Sequence, residues 1–84
     1  MEVYELKPVY DTRKSFYNKA IVIVDANRKK LMSYRTLVAA IEDGKAKIDG
    51  TYSRTTLRHI KEFLKQNGFK AENEAQILKD YKLW

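Results

Sequence analysis

The clearest periodicity in the chain runs from Ser53 to Phe69. At about 100° per residue, Leu57, Ile60, Phe63 and Leu64 share one arc of a helix. Arg54, Arg58, Lys61 and Lys65 form a separate stripe roughly 120° away. Ser53 or Thr55 offers the N-cap oxygen, Gly68 the left-handed stop, and Phe69 is placed to fold back on Leu64. The pattern predicts one amphipathic helix with a buried arc and a line of cations facing outward.

Period-two patterns precede it. Arg13 to Val24 reads as a strand that becomes apolar on both faces at Ala20–Val24. Asp25 to Arg28 is turn chemistry, and Lys29 to Tyr34 returns as the second strand of a hairpin. Thr36 is positioned to cap a short helix, Leu37–Asp43, stopped by Gly44. Lys45 to Tyr52 alternates as a third strand, with Ala46, Ile48 and Tyr52 on one side. Asn73 with Gln76 resembles a capping box for a last helix, Glu74 to about Tyr81, that buries Ile77, Leu78 and Tyr81. Residues 1–12 read as an N-terminal arm, extended near Pro8.

These elements predict a single α+β domain over residues 1–84, an arm (1–12) followed by a globular core (13–84). The expected core is a small three-stranded, mainly antiparallel sheet with helices packed on one face, in the order β-β-α-β-α-α. Neither the N-terminal pattern nor the apolar run Ala20–Val24 suits a signal peptide or a membrane span, so a soluble cytoplasmic protein without membrane contact is expected.

Composition sharpens the picture at one point, the charge. The chain carries 17 basic and 11 acidic residues, net +6. The excess sits in residues 1–34 and 35–68, each with seven basic against four acidic side chains, while residues 69–84 are balanced. Such a balance favours polyanionic partners. Besides the helix stripe, Arg28, Lys29 and Lys30 form a second cluster at the hairpin tip. Cations along about 16 Å of helix could follow a phosphate backbone, which gives affinity and orientation without base specificity. The plain alternative is a solvated helix face, with Glu62 as partial compensation.

Catalytic chemistry is harder to place. There is no cysteine and one histidine, His59, so no zinc site can be assembled from the usual ligands. His59 falls at the edge of the apolar arc and reads as a half-buried, locally bonded residue. The three glycines, Gly44, Gly50 and Gly68, allow neither a P-loop nor a dinucleotide fingerprint. Asp25, Glu42, Asp43 and Asp49 occupy turns and helix ends, where acidic residues are common anyway. No enzyme activity, cofactor or metal is expected.

Three segments carry a resemblance: Tyr10 to Ala20, Leu31 to Thr36 with Val38-Ala39, and Tyr52-Ser53-Arg54-Thr55-Thr56-Leu57-Arg58-His59-Ile60. Together they resemble a family of short uncharacterised proteins encoded by phages, plasmids and integrated elements of Firmicutes-type bacteria, over about Pro8 to Phe69. The family has no known catalytic residues to carry over. Asn18 departs from its pattern, which has glycine there. The resemblance implies a mobile-element context, in which small proteins without enzyme motifs bind a host machine or manage the element's DNA.

Two functions are therefore expected as alternatives. One is binding of nucleic acid, or of a nucleoprotein complex, through Arg54, Arg58, Lys61 and Lys65 with Arg28, Lys29 and Lys30. The other is an anti-defence, anti-CRISPR-like inhibitor or adaptor that contacts a host protein through aromatic residues such as Tyr4, Tyr10 and Trp84. Oligomeric state is left open by the sequence.

Overall fold

Three two-residue turns set the architecture. The computed structural model describes residues 1–49 and 53–83. In it β2 (Ala20–Asp25), β3 (Arg28–Ser33), β4 (Thr36–Glu42) and β5 (Lys45–Ile48) follow one another with only Ala26-Asn27, Tyr34-Arg35 and Asp43-Gly44 between them. Links this short force each strand to lie antiparallel beside the one before it. β1 (Glu2–Glu5) adds to the free side of β2, and the short β6 (Lys82–Leu83) runs parallel to β5. The result is a six-stranded sheet in sequence order, with α1 (Arg54–Gln66) and α2 (Glu74–Asp80) inserted before the last strand.

This corrects the three-stranded expectation and its element order. The decisive segment is Leu37–Asp43, which is β4 and not a helix. Leu and Ala favour helices, but a run whose four central residues are all buried carries no period by which to tell strand from helix. Val38, Ala39, Ala40 and Ile41 are all buried. The pairing shifts between Leu31, opposite Ala39, and Met32, opposite Leu37. Val38 is thus the extra residue of a β-bulge, which lets it join Ala39 and Ile41 in the core despite its opposite parity. Asp43 and Gly44 have φ of 52° and 75°, as a tight hairpin turn requires at both central positions. The left-handed Gly44 was legible; its role is to close a hairpin instead of a helix.

The first expected strand is also shorter. Tyr17 and Asn18 have φ of 52° and 62°, so the chain cannot be extended there, and β2 starts only at Ala20. Asn18 thus occupies a backbone state in which glycine is unstrained and Asn is among the best-tolerated alternatives. Of the third expected strand, Lys45 to Ile48 forms β5; Tyr52, its expected last residue, lies outside the described residues, as does Trp84.

One face of the sheet holds the core. Ala20 and Val22 of β2, Leu31 of β3, and Ala46 and Ile48 of β5 meet Ile60, Phe63 and Leu64 of α1, with Ile77 of α2, Leu6 and Phe16 closing the ends. The C-terminus of α1 ends in a Schellman motif: Phe69 N–H donates to the Leu64 carbonyl (2.9 Å), Gly68 N–H to that of Lys65 (3.1 Å), and Gly68 has φ +83°. Asn73 caps α2 by accepting from Gln76 N–H at 2.8 Å. Leu78, expected inside, is exposed, because a seven-residue helix turns only Ile77 fully to the core.

Candidate nucleic-acid interface

Ser53 initiates α1 by accepting a hydrogen bond from Thr56 N–H, which settles the cap in favour of Ser53 over Thr55. Once Ile60, Phe63 and Leu64 are buried, helical geometry sends Arg54, Arg58, Lys61 and Lys65 to the opposite side. Arg54, Arg58 and Lys65 are exposed and Lys61 is half-buried. All four line one groove of about 470 Å³ between α1 and the N-terminal arm, together with Tyr10, Asp11, Thr12, Leu57 and Glu62.

The arm is held against the helix by a buried carboxylate. Glu62 is 2% exposed. It accepts from Val9 N–H at 2.9 Å, from Tyr10 N–H at 3.0 and 3.2 Å, and from Gln66 Nε2 at 2.5 Å. Gln66 Nε2 also donates to the Lys7 carbonyl at 2.7 Å. Two consecutive backbone N–H groups converging on one carboxylate make a charge-assisted clasp, stronger than neutral hydrogen bonds of the same number. Glu62 is therefore a structural anchor, and the surface charge it was expected to offset is left to Asp11. That residue accepts from Arg58 Nη1 at 3.3 Å and from Arg13 N–H at 2.9 Å. Among the described residues, no ion pair engages Arg54, Lys61 or Lys65.

The hairpin-tip cluster does not join this groove. Successive residues of β3 point to opposite faces. Lys29 turns toward the helix side, where its Nζ donates to Asn67 Oδ1 at 2.7 Å and supports the residue that ends α1. Lys30 has the alternate parity, that of the face left open by the helices, while Arg28 at the tip borders a separate recess with Lys29, Asn67 and Phe69. The seven cations grouped on sequence grounds thus divide into a contiguous set of four, a structural lysine, an arginine at the hairpin tip near the end of α1, and one lysine on the far side of the sheet.

His59 departs from the expected half-buried, local arrangement. It is 1% exposed, and its Nδ1 lies 2.8 Å from Ser33 Oγ on β3, which is in turn 2.9 Å from Thr56 Oγ1. Its ring packs 4.6 Å from Phe16 and 5.8 Å from Tyr34. Burial lowers its pKa from 6.5 to about 4, helped by the positive charge of Arg13 and opposed by Asp11. With Ser33 also buried, this Ser-His pair is closed to any substrate and serves to join helix to sheet.

The sequence reading missed Tyr10 as a groove wall, the Glu62–Gln66 clasp, and the exposed pair Tyr17 and Tyr34 at left-handed turns. The one usable signal was Glu62 lying beside the cationic stripe, between it and the buried arc. Among the described residues no group of three or more His, Cys, Asp or Glu is placed to hold a metal, and no helix is long and apolar enough to cross a membrane.

Fold and groove together define a small α+β domain in which a β-meander carries one amphipathic helix with a polybasic outer face. The chain belongs to a family of unknown function, DUF8033, whose model matches residues 4–79. That match extends beyond Pro8–Phe69 at both ends and accords with the expectation of an uncharacterised family. No curated protein and no solved structure matches the chain.

Proposed function

We propose that this domain is a non-enzymatic binding protein that engages nucleic acid, or the nucleic-acid face of a nucleoprotein complex, through the groove along α1. The observation that carries the reading is the convergence of Arg54, Arg58, Lys61 and Lys65 on one concave surface, with a single ion pair to them among the described residues. A solvated helix face needs no such concavity and is usually interleaved with acids at i+4 spacing. Arg54 adds a second hint. It occupies the first turn of α1, where no acidic residue stands and where a cation opposes the helix dipole by about 0.3–1 kcal/mol. An anion in the groove turns that local cost into a favourable contact.

Fluorescence anisotropy with labelled oligonucleotides tests the reading. Wild-type affinity is expected to fall with salt, with a log–log slope of about −2 to −3 for three or four phosphate contacts. Reversing Arg54, Lys61 and Lys65 to Glu is expected to abolish binding. A slope near zero, or an unaffected triple variant, defeats the proposal.

The protein-contact reading keeps one observation in its favour. Tyr17 and Tyr34 are 71% and 49% exposed and stand on adjacent turns beside Lys19, Arg35, Ile21 and Met32. Interfaces concentrate their energy in such Tyr and Arg side chains. On this reading the protein is an anti-defence inhibitor or adaptor of a mobile element, and Tyr17→Ala with Tyr34→Ala removes its effect on the host target while nucleic-acid affinity stays unchanged.

A further inference from the structure

The groove combines two surfaces of different chemistry. Its cations follow the helix for about 16 Å. Beside them stand the Leu57 side chain and the ring of Tyr10, which is 60% exposed. Tyr10 is not a loosely hanging residue: its own N–H and that of Val9 are both bound by the buried Glu62 carboxylate. The ring is therefore presented from a fixed backbone, without being covered by the fold.

Resting on the binding function proposed above, we infer that the ligand of this groove is a single-stranded nucleic acid, with its phosphates along Arg54, Arg58, Lys61 and Lys65 and an unpaired base stacked on Tyr10. Cations alone suit any polyanion. An exposed aromatic ring on an anchored backbone among them suits a polyanion that carries flat apolar rings, and such stacking tolerates any base sequence. Duplex DNA fits the site poorly for two reasons. Its bases are already stacked on each other and offer no face to Tyr10. Nor can α1 enter a major groove about 12 Å wide as a recognition helix, because an α-helix alone fills about 10–12 Å and here the arm stands against its cationic side. Arg28 and Lys30 are not part of this groove and add no cations to it.

The test compares four ligands of equal length, about twelve nucleotides, within the range that small single-strand-binding folds occupy: oligo-dT, oligo-rU, an abasic oligonucleotide of the same charge, and a duplex. Wild-type protein is expected to bind the two base-bearing single strands more tightly than the abasic strand or the duplex. Tyr10→Ala is expected to weaken single-strand binding about five- to hundred-fold, the range set by one lost stacking contact, and to leave abasic binding unchanged. Tyr10→Phe keeps the ring and is expected to keep the affinity. Because the Tyr10 side chain is exposed and the clasp uses only the backbone N–H of that residue, the variants should melt like wild type, which circular dichroism verifies. Equal binding of abasic and base-bearing strands, or an inert Tyr10→Ala, overturns the inference while the electrostatic reading stands. Absence of binding to all four ligands removes both.

Discussion

His59 shows how one residue can couple pH to stability without taking part in any reaction. In the fold it is neutral, with a pKa near 4, against 6.5 in an unfolded chain. Between those values the unfolded state binds more protons than the folded one, so stability rises with pH through that window. The native state is expected to hold its full stability above pH 6.5 and to lose about 3 kcal/mol by pH 4 on account of this residue alone. Chemical denaturation at several pH values reads this directly. His59→Gln, which keeps a polar partner for Ser33 but does not titrate, should flatten the curve in that window relative to wild type. An unchanged pH profile in the variant would show that the drop belongs to carboxylates. Asp11 acts at the same scale on the groove: Asp11→Asn leaves an acceptor for Arg13 N–H and frees Arg58, so oligonucleotide affinity should rise several-fold at low salt.

Turns are the elements under most tension. Among the described residues six non-glycine positions have positive φ, and four of them, Tyr17, Asn18, Tyr34 and Arg35, sit in two neighbouring turns that border one cavity of about 500 Å³. Each costs stability relative to glycine, on the order of 1 kcal/mol. Arg35 has φ 68° and an exposed side chain. Arg35→Gly is expected to raise stability by about 1 kcal/mol in urea melts, without moving β3 or β4. The converse holds at Gly68, with φ +83° and open space within 4 Å of where a methyl group would stand. Gly68→Ala therefore meets no clash and should cost about 1 kcal/mol through backbone strain alone.

The molecule as a whole is joined at two seams, one buried between α1 and the sheet and one between α1 and the arm. The second is centred on the Glu62 carboxylate, with the Gln66–Lys7 and Arg58–Asp11 contacts beside it. Glu62→Ala removes the acceptor of two backbone N–H groups and of Gln66, and should destabilise the domain by about 1–3 kcal/mol. Hydrogen exchange localises the effect: the Val9 and Tyr10 amides should lose protection while the β3–β4 ladder keeps it. Uniform loss across the sheet would mean that the arm is integral to the core instead of clasped onto it. Loosening the arm also releases Tyr10, so the variant should lose single-strand affinity with all four cations intact.

Both helices, with their caps, were legible in the order of residues because they are local. Ser53, Gly68, Asn73 and the three-to-four spacing of Leu57, Ile60, Phe63 and Leu64 act within a few turns of chain. The cationic stripe follows from the same geometry, since burying one arc of a helix exposes the other. What the sequence could not convey was the identity of β4: its residues are buried along most of their length, and only pairing with β3 and β5 makes a strand of a segment rich in helix formers. The split of Lys29 and Lys30 between two faces likewise needed the register of β3. The groove needed more still, because Glu62 meets Val9 and Tyr10 across 53 and 52 positions of chain. The sequence by itself determined helices, caps, charge and the cationic line, all set by neighbours along the chain. Tertiary structure alone decided the number of strands, the buried state of Glu62 and His59, and the placing of Tyr10 beside the cations, because each depends on groups that meet only when distant segments pack.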